Sequence, residues 1–252
     1  MLKKIALITL AGSLFHTSAS LADVITEELA LWSTDGWTQF ADDDGIVGPG
    51  GGGQGFDAEY LYYKVEGSVL SLGLQTGYNV VTGEQTYGSS SFLYYAGDLA
   101  LSVDGHVGTG AGKGVTFEYG IDFGLETHGY SGATIDTGSG DGIDAAGLYA
   151  VSSWSNDVYS GHHDSDPYAI DDGTKIADLL SNVAGAGGDT FFRTVSFDMA
   201  GLGWGDDFIL DAHWTMSCGN DAIDGHTSVP EPAGLSLLAL GLMGFIRRKR
   251  AL

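Results

Sequence analysis

Residues 57–76 read DAEYLYYKVEGSVLSLGLQT, and this stretch decides the fold class of the chain. In its first part, Tyr60, Tyr62 and Lys64 alternate with apolar or aromatic neighbours at the odd positions. Its second part, residues 69–76, carries leucine at every other position, and Glu66-Gly67-Ser68 lies between the two. A period of two on both sides of a short glycine turn predicts an antiparallel β-hairpin, with Leu61, Tyr63 and Val65 on one face of its first strand and Leu70, Leu72 and Leu74 alternating along its second.

The rest of the chain repeats this pattern of short strands between Gly/Asp/Ser turns. Further strands are predicted at Ser91–Tyr95, Leu99–Asp104, Val115–Phe123, Leu148–Trp154, Phe191–Met199 and Asp207–Met216. Only Lys175–Val183 has helical spacing, with Ile176, Leu179, Leu180 and Val183 on one stripe. Many short strands with almost no helix predict an all-β protein, a single β-sandwich or jelly-roll-like domain.

The last of these strands has strict alternation, which predicts one buried and one exposed face. The predicted buried face holds Phe208, Leu210, Ala212, Trp214 and Met216. The predicted solvent face holds Ile209, Asp211, His213 and Thr215.

Charge is distributed very unevenly along the chain. Six of the ten Lys and Arg residues lie near the two ends, whereas all 33 acidic residues lie within residues 23–231. Four basic against 33 acidic residues give this body a formal charge of −29. Such a charge argues against binding nucleic acid or anionic lipid. Hydrophobic residues at 43% and aromatic residues at 11% argue for a packed core rather than disorder.

The C-terminal residues form an ordered series of three features. Pro230-Glu231-Pro232 comes first, then an apolar run over residues 233–246, then Arg247, Arg248, Lys249 and Arg250. As a helix, 14 residues reach roughly 21 Å, which is short of a ~30 Å hydrocarbon core. The basic cluster predicts that this end stays in the cytoplasm while the body lies on the far side of the inner membrane, in the periplasm, before it reaches the cell surface or the extracellular matrix.

These three features closely resemble the PEP-CTERM sorting signal of Gram-negative bacteria. The resemblance implies that exosortase, a membrane cysteine protease, processes the tail. It also implies a surface or matrix protein of an exopolysaccharide-producing bacterium. It covers Val229–Leu252 and leaves the chemistry of the body open.

The N-terminus has the features of a secretory signal peptide. Lys3 and Lys4 precede an apolar segment over residues 5–14, and Ser20-Leu21-Ala22 is a small-x-small cleavage site. We therefore predict a signal peptide at 1–22, cut between Ala22 and Asp23 by signal peptidase, a β body at 23–228 and a sorting signal at 229–252.

Two acidic, glycine-rich loops offer oxygen ligands suited to calcium, namely Asp42, Asp44, Asp136 and Asp141. Neither loop has the terminal glutamate of the EF-hand pattern, and Asp and Gly are ordinary turn residues. We therefore predict no cofactor and interpret both loops as solvated turns, with calcium as the alternative.

Other candidate site residues are interpreted as structural. His162, His163, Asp164 and Asp166 are the best transition-metal candidates, but a surface loop is the preferred interpretation. The single cysteine, Cys218, is predicted to be buried rather than to form an intermolecular bridge. Trp37 and Trp204 adjoin Gly/Asp-rich loops and are the candidates for exposed, sugar-stacking rings.

The sequence thus predicts an exported, non-enzymatic protein of the cell surface or exopolysaccharide matrix. Its predicted partners are signal peptidase, exosortase, transiently the inner membrane, and extracellular polysaccharide, with no nucleic acid. A carbohydrate-binding β-sandwich with bound calcium is the first alternative, and a secreted glycosidase is the second.

Overall fold

The computed structural model describes residues 36–87, 92–104, 117–131, 134–135, 142–159, 161–205 and 207–230. These residues form an almost entirely β structure made of antiparallel sheets, as predicted. Within these ranges no helix is long and apolar enough to cross a membrane. Two 3₁₀ turns, Gly53–Phe56 and His163–Ser165, are the helical elements of the described residues.

Two large sheets contain most of the strands. In spatial order, the five-stranded sheet contains β1 (Thr38–Asp42), β2 (Ala58–Glu66), β3 (Val69–Thr76), β13 (Thr190–Asp198) and β12 (Ser181–Gly187). The six-stranded sheet contains β11 (Ala169–Ala177), β10 (Gly147–Ser155), β7 (Tyr119–Asp122), β6 (Leu99–Ser102), β14 (Phe208–Thr215) and β15 (Ala222–Val229). Two short ribbons pair β4 (Glu84–Thr86) with β5 (Leu93–Tyr95) and β8 (Tyr130–Ser131) with β9 (Thr134–Ile135).

The predicted hairpin consists of β2 and β3, and Gly67 takes a φ of 63° in its turn. Its leucines face the six-stranded sheet and join one buried cluster with side chains from that sheet. This shared cluster makes the arrangement sandwich-like, with an apolar layer between two sheets. Its members include Leu61, Leu72, Leu74 and Phe197 from one sheet and Leu101, Ile121, Leu148, Leu210 and Trp214 from the other.

The predicted helix at Lys175–Val183 is wrong. The segment contains the end of β11, a turn and the start of β12, where the chain crosses from one sheet to the other. Its helical spacing of apolar residues does not form a buried stripe, because Ile176, Leu180 and Val183 are 37%, 62% and 52% exposed. Of the four residues in the predicted stripe, only Leu179, between the two strands, packs against the core.

The predicted solvent face of β14 is also wrong, except at Ile209. The His213 side chain is buried, and its ring lies 2.8 Å from Asp224 Oδ1 and 2.9 Å from the backbone oxygen of Ser165. Asp211 and Thr215 are buried as well. The loop containing the second 3₁₀ turn covers this face, which strand periodicity alone does not reveal.

Buried polar side chains connect the loops to the sheets. Asp221 accepts hydrogen bonds from the backbone N–H groups of Gly48 (3.1 Å) and Ala58 (2.6 Å). Arg193 donates to the backbone oxygens of Val80 (2.9 Å) and Val81 (3.3 Å), and its guanidinium lies over the Phe123 ring. These contacts hold segments that are distant in the sequence, consistent with the rule that buried polar groups are hydrogen-bonded.

Candidate functional site

A polar cleft of about 490 Å³ lies at one end of the five-stranded sheet. Antiparallel pairing brings the end of β1, the start of β2, the end of β3 and the start of β13 together at this end. The cleft is lined by Asp44, Gln54, Glu59, Tyr60, Gln75, Asp189 and Thr190. It therefore joins residues from loops and strands that are far apart in the chain.

A β-bulge places Glu59 in this cleft. Ala58 pairs with Thr76 and Tyr60 pairs with Gln75, so Glu59 is the extra residue on β2. A bulge redirects the side chain of the inserted residue. The Glu59 carboxylate consequently accepts hydrogen bonds from both Gln75 Nε2 and Gln54 Nε2, each at 2.6 Å.

The turn after β1 brings a second carboxylate to the same place. Gly45, with a φ of 79°, allows the chain to reverse directly after Asp44. The Gly45 N–H donates to Asp57 Oδ2 at 3.0 Å, and the Tyr60 hydroxyl donates to Asp44 Oδ2 at 2.9 Å. The acidic turn is thus held against the start of β2.

Asp44, Asp57 and Glu59 form a three-carboxylate cluster, with one oxygen of each residue within 4.8 Å of the others. Asp44 is exposed, whereas Asp57 and Glu59 are each only 2% exposed. Asp57 Oδ1 is buried without a hydrogen-bond partner. Among the described residues, none of the ion pairs involves these three carboxylates.

Burial and mutual repulsion act on the ionisation of this cluster. Burial, followed by the nearby Asp44 charge, raises the pKa of Asp57 above its usual value, although the Gly45 amide opposes the rise. Burial likewise raises the pKa of Glu59, against the hydrogen bonds from Gln75 and Gln54. Both carboxylates are therefore in a setting that a nearby positive charge would relieve.

An aromatic surface adjoins the cleft on the outer face of the five-stranded sheet. Trp37 is half-buried and lies close to the backbone of Gly73, where an added Cβ would be 3.5 Å from its ring. Tyr60 and Tyr62 are neighbours there, with ring centroids 6.0 Å apart, but Tyr62 is buried, so the partly exposed rings are those of Trp37 and Tyr60. The structure thus places Trp37 on the same face as Tyr60, which lines the cleft.

The other stacking candidate, Trp204, was predicted wrongly. Its side chain is only 8% exposed and packs against Tyr119, Phe197 and Phe208 with centroid distances of 5.0–5.6 Å. Gly203 and Gly205 flank it, so the glycine-rich neighbourhood that indicated exposure instead allows a loop to insert the indole into the core.

The four aspartates predicted as calcium candidates differ in where the structure places them. Asp44 belongs to the three-carboxylate cluster, whereas Asp42 is exposed on β1 and accepts a hydrogen bond from Gln39 Nε2 at 3.1 Å. Asp136 and Asp141 lie outside the described residues. Sequence reasoning missed Asp57 and Glu59, because no periodicity signals a bulge.

The histidine pair does not converge on one point. His162 Nδ1 lies 2.9 Å from the backbone oxygen of Cys218, whereas His163 Nδ1 lies 3.5 Å from Asp166 Oδ2. Within the described ranges these residues do not form a group able to hold a metal ion. Cys218 is buried, as predicted, and burial raises the pKa of its thiol to about 12.

The processing residues lie at the limits of the described structure. Pro230 is exposed and follows Val229, the buried last residue of β15, which pairs with Phe208. Ala22, Asp23, Glu231, Pro232 and the basic cluster Arg247–Arg250 lie outside the described residues. The predicted cleavage sites and the sorting helix therefore stay predictions.

Comparison with known proteins bears on the tail alone. No curated protein and no solved structure matches the chain. The family model of the PEP-CTERM protein-sorting motif matches residues 228–250. The chain therefore carries a PEP-CTERM protein-sorting motif, a signal for export and exosortase-dependent sorting to the cell surface.

Proposed function

We propose that the β body is a non-catalytic component of the cell surface or of the exopolysaccharide matrix. The observation that carries this proposal is the sorting motif at residues 228–250, which directly joins the last strand of the body. In this scheme, signal peptidase cuts before Asp23, and the short apolar helix holds the body transiently at the inner membrane. Exosortase then releases the basic tail.

The roles of three buried acids outside the cleft, Asp98, Asp122 and Asp221, support a non-catalytic body. Asp98 Oδ2 accepts from the Ile170 N–H at 2.8 Å, and Asp122 Oδ2 accepts from the Ala145 N–H at 2.7 Å. Asp221 accepts from two backbone N–H groups. Burial is the main cause of the raised pKa of all three, and their contacts are to backbone. Perturbed ionisation here reflects structural roles rather than an acid–base pair.

The sorting part of the proposal is tested by replacing Pro230-Glu231-Pro232 with three alanines. We expect the native chain at the cell surface without its Arg247–Leu252 peptide, and the variant as uncut precursor in the inner membrane. Thr227→Ala, three residues upstream, is the control and should be sorted normally. Mass spectrometry of the surface fraction decides the result: surface protein that retains the basic tail would contradict the proposal.

A second candidate function, carbohydrate binding, is favoured by Trp37 and Tyr60 beside a cleft lined with amide and carboxylate groups. Aromatic faces stack on apolar sugar faces, and these polar groups can hydrogen-bond hydroxyls. Trp37→Ala should abolish retention of the protein on exopolysaccharide from the producing strain, whereas Phe92→Ala, at an exposed ring elsewhere, should not. Equal retention of both variants would remove this candidate.

A secreted glycosidase is the remaining alternative. Incubating the protein with the same exopolysaccharide distinguishes a glycosidase from a matrix protein or a lectin. A glycosidase would release new reducing ends over time, whereas a matrix protein or lectin would leave the polymer length unchanged. Reducing ends that disappear in Glu59→Gln would overturn the non-catalytic proposal.

A further inference from the structure

The three-carboxylate cluster has one property that acidic surface turns lack. Two of its members are buried, and Asp57 Oδ1 is without a hydrogen-bond partner. A buried carboxylate oxygen without a partner loses its hydration and gains nothing in return, so natural structures rarely contain one without a reason. Asp57 groups with Asp44 and Glu59 within 4.8 Å, so a cation held by the three carboxylates would supply a partner for this side chain.

We propose that Asp44, Asp57 and Glu59 bind one divalent cation, and that this cation is Ca²⁺. The site is made of oxygen ligands, which hard cations prefer over the nitrogen and sulfur ligands that select zinc or copper. Ca²⁺ accepts six to eight oxygens with flexible geometry, and three carboxylates supply between three and six. Mg²⁺ usually keeps several waters and takes only one or two carboxylates.

The surrounding donors orient the ligands without using all of their lone pairs. Tyr60 holds Asp44, the Gly45 amide holds Asp57, and Gln54 and Gln75 hold Glu59. Each carboxylate has about four lone-pair positions, so these hydrogen bonds leave room for coordination. Outer contacts of this kind are typical of metal sites, where they fix the ligands in place.

The negative charge of the body favours binding of a cation at the three-carboxylate cluster. The body carries a formal charge of −29, and no ion pair neutralises the cluster within the described part of the chain. Asp57 and Glu59 are buried, and a bound cation would offset the cost of burying their negative charges. The exposed position of Asp44 at the cleft leaves the remaining coordination positions to water or to hydroxyl groups of a ligand.

This inference does not rest on the proposed function, because the cation would bind whether the body is structural or a lectin. Its local effect would be to fasten the turn after β1 to the start of β2. Binding only the folded state stabilises that state, so calcium should raise the melting temperature.

The test uses the purified protein, in the processed form that the cells yield, after removal of metals with EDTA. Isothermal titration calorimetry with CaCl₂ should show one saturable site per chain with Kd below about 1 mM, the range of extracellular calcium modules. The melting temperature should rise more with CaCl₂ than with MgCl₂ or NaCl at equal ionic strength. Equal shifts for all three salts, or no saturable calcium binding, would overturn the proposal.

Three variants and one control locate the site. Asp44→Asn, Asp57→Asn and Glu59→Gln should each weaken calcium binding by more than about 10-fold, since even outer-shell changes cost that much in metal sites. Asp42→Asn removes the same charge from the same loop and should leave the Kd within about 2-fold. Loss of binding in Asp42→Asn as large as in Asp44→Asn would show a diffuse charge effect and refute the site.

Asp57 and Glu59 are buried, so their variants could fail to fold. The decisive variant is therefore Asp44→Asn, at an exposed position, and terbium emission provides a second measurement. Terbium(III) replaces calcium in oxygen sites and emits when a nearby tyrosine absorbs, and Tyr60 contacts Asp44. The native protein should sensitise terbium emission, calcium should displace it, and Asp44→Asn should weaken it. Emission that calcium does not displace would contradict the proposal.

Discussion

Asp221 should make the stability of this protein fall as the pH rises from 5 to 8. The side chain is fully buried, and burial raises its pKa from 3.8 to about 7, although the hydrogen bonds from Ala58 and Gly48 oppose the rise. Between pH 3.8 and about pH 7, Asp221 keeps its proton in the folded state but has lost it in the unfolded state. Stability is therefore complete below pH 3.8 and is lost as the pH rises through about 7.

The magnitude follows from the width of this interval. Each pH unit within it changes the free energy of unfolding by 1.36 kcal/mol per group. From pH 5 to 7, Asp221 alone should thus remove roughly 2–3 kcal/mol, with the dependence flattening as the pH approaches 7. Asp122, with its pKa raised to about 6 by burial, and Asp98, whose pKa is also raised, act in the same direction.

Urea unfolding at pH 5, 6, 7 and 8 measures the effect, with EDTA to keep cations away and about 0.15 M salt to screen surface repulsion. Asp221→Asn should be less stable than the native chain at pH 5, because an amide cannot accept from both backbone N–H groups. Between pH 5 and 7 the free energy of unfolding of this variant should nevertheless fall less steeply with pH than that of the native chain, by about 1.4 kcal/mol per pH unit. The control Asp172→Asn, on an exposed part of β11, should keep the native slope.

Two results would refute this reasoning. Native stability that increases from pH 5 to 7 would show that the buried acids are not the dominant titrating groups. An unchanged slope in Asp221→Asn would show that Asp221 is not one of them.

Three further predictions concern the core. Trp214→Ala should cost about 3–5 kcal/mol in urea unfolding, because its ring is fully buried, whereas Trp37→Ala on the outer face should cost clearly less. Arg193→Met should cost about 2–3 kcal/mol, since it removes charged hydrogen bonds to two loop carbonyls, and a change below about 0.5 kcal/mol would contradict this role. Cys218 should react with a thiol reagent only after unfolding, and a disulfide-linked dimer on a non-reducing gel would contradict its burial.

The sequence predicts this fold well wherever one face of a strand decides its register. The hairpin of β2 and β3 was predicted to within one residue, because alternation and the Gly67 turn give the same answer. The same logic failed for Lys175–Val183, where two strand ends and a turn imitate a helical stripe. It also failed for His213, because a loop from elsewhere in the chain covers that face of β14.

The candidate site was largely beyond sequence analysis. Asp44 could be identified from its acidic turn, but Asp57 and Glu59 resemble ordinary residues at the start of a strand. Their convergence depends on a bulge and on burial, and both are products of the tertiary fold. The sorting motif is different, because a linear signal is complete in the sequence itself.

The junction of β15 with the tail has a mechanical consequence. Val229 is buried in the core, and exposed Pro230 follows it within one Cα step of about 3.8 Å. No linker therefore separates Pro230 from the folded sheet. A force on the tail acts directly on the last residue pair of the sheet, Val229 with Phe208. Since β15 is an edge strand paired only with β14 in its sheet, a single ladder of hydrogen bonds resists such a load there. A protease that acts beside Pro230 must therefore work close against the folded sheet or open this last pair first.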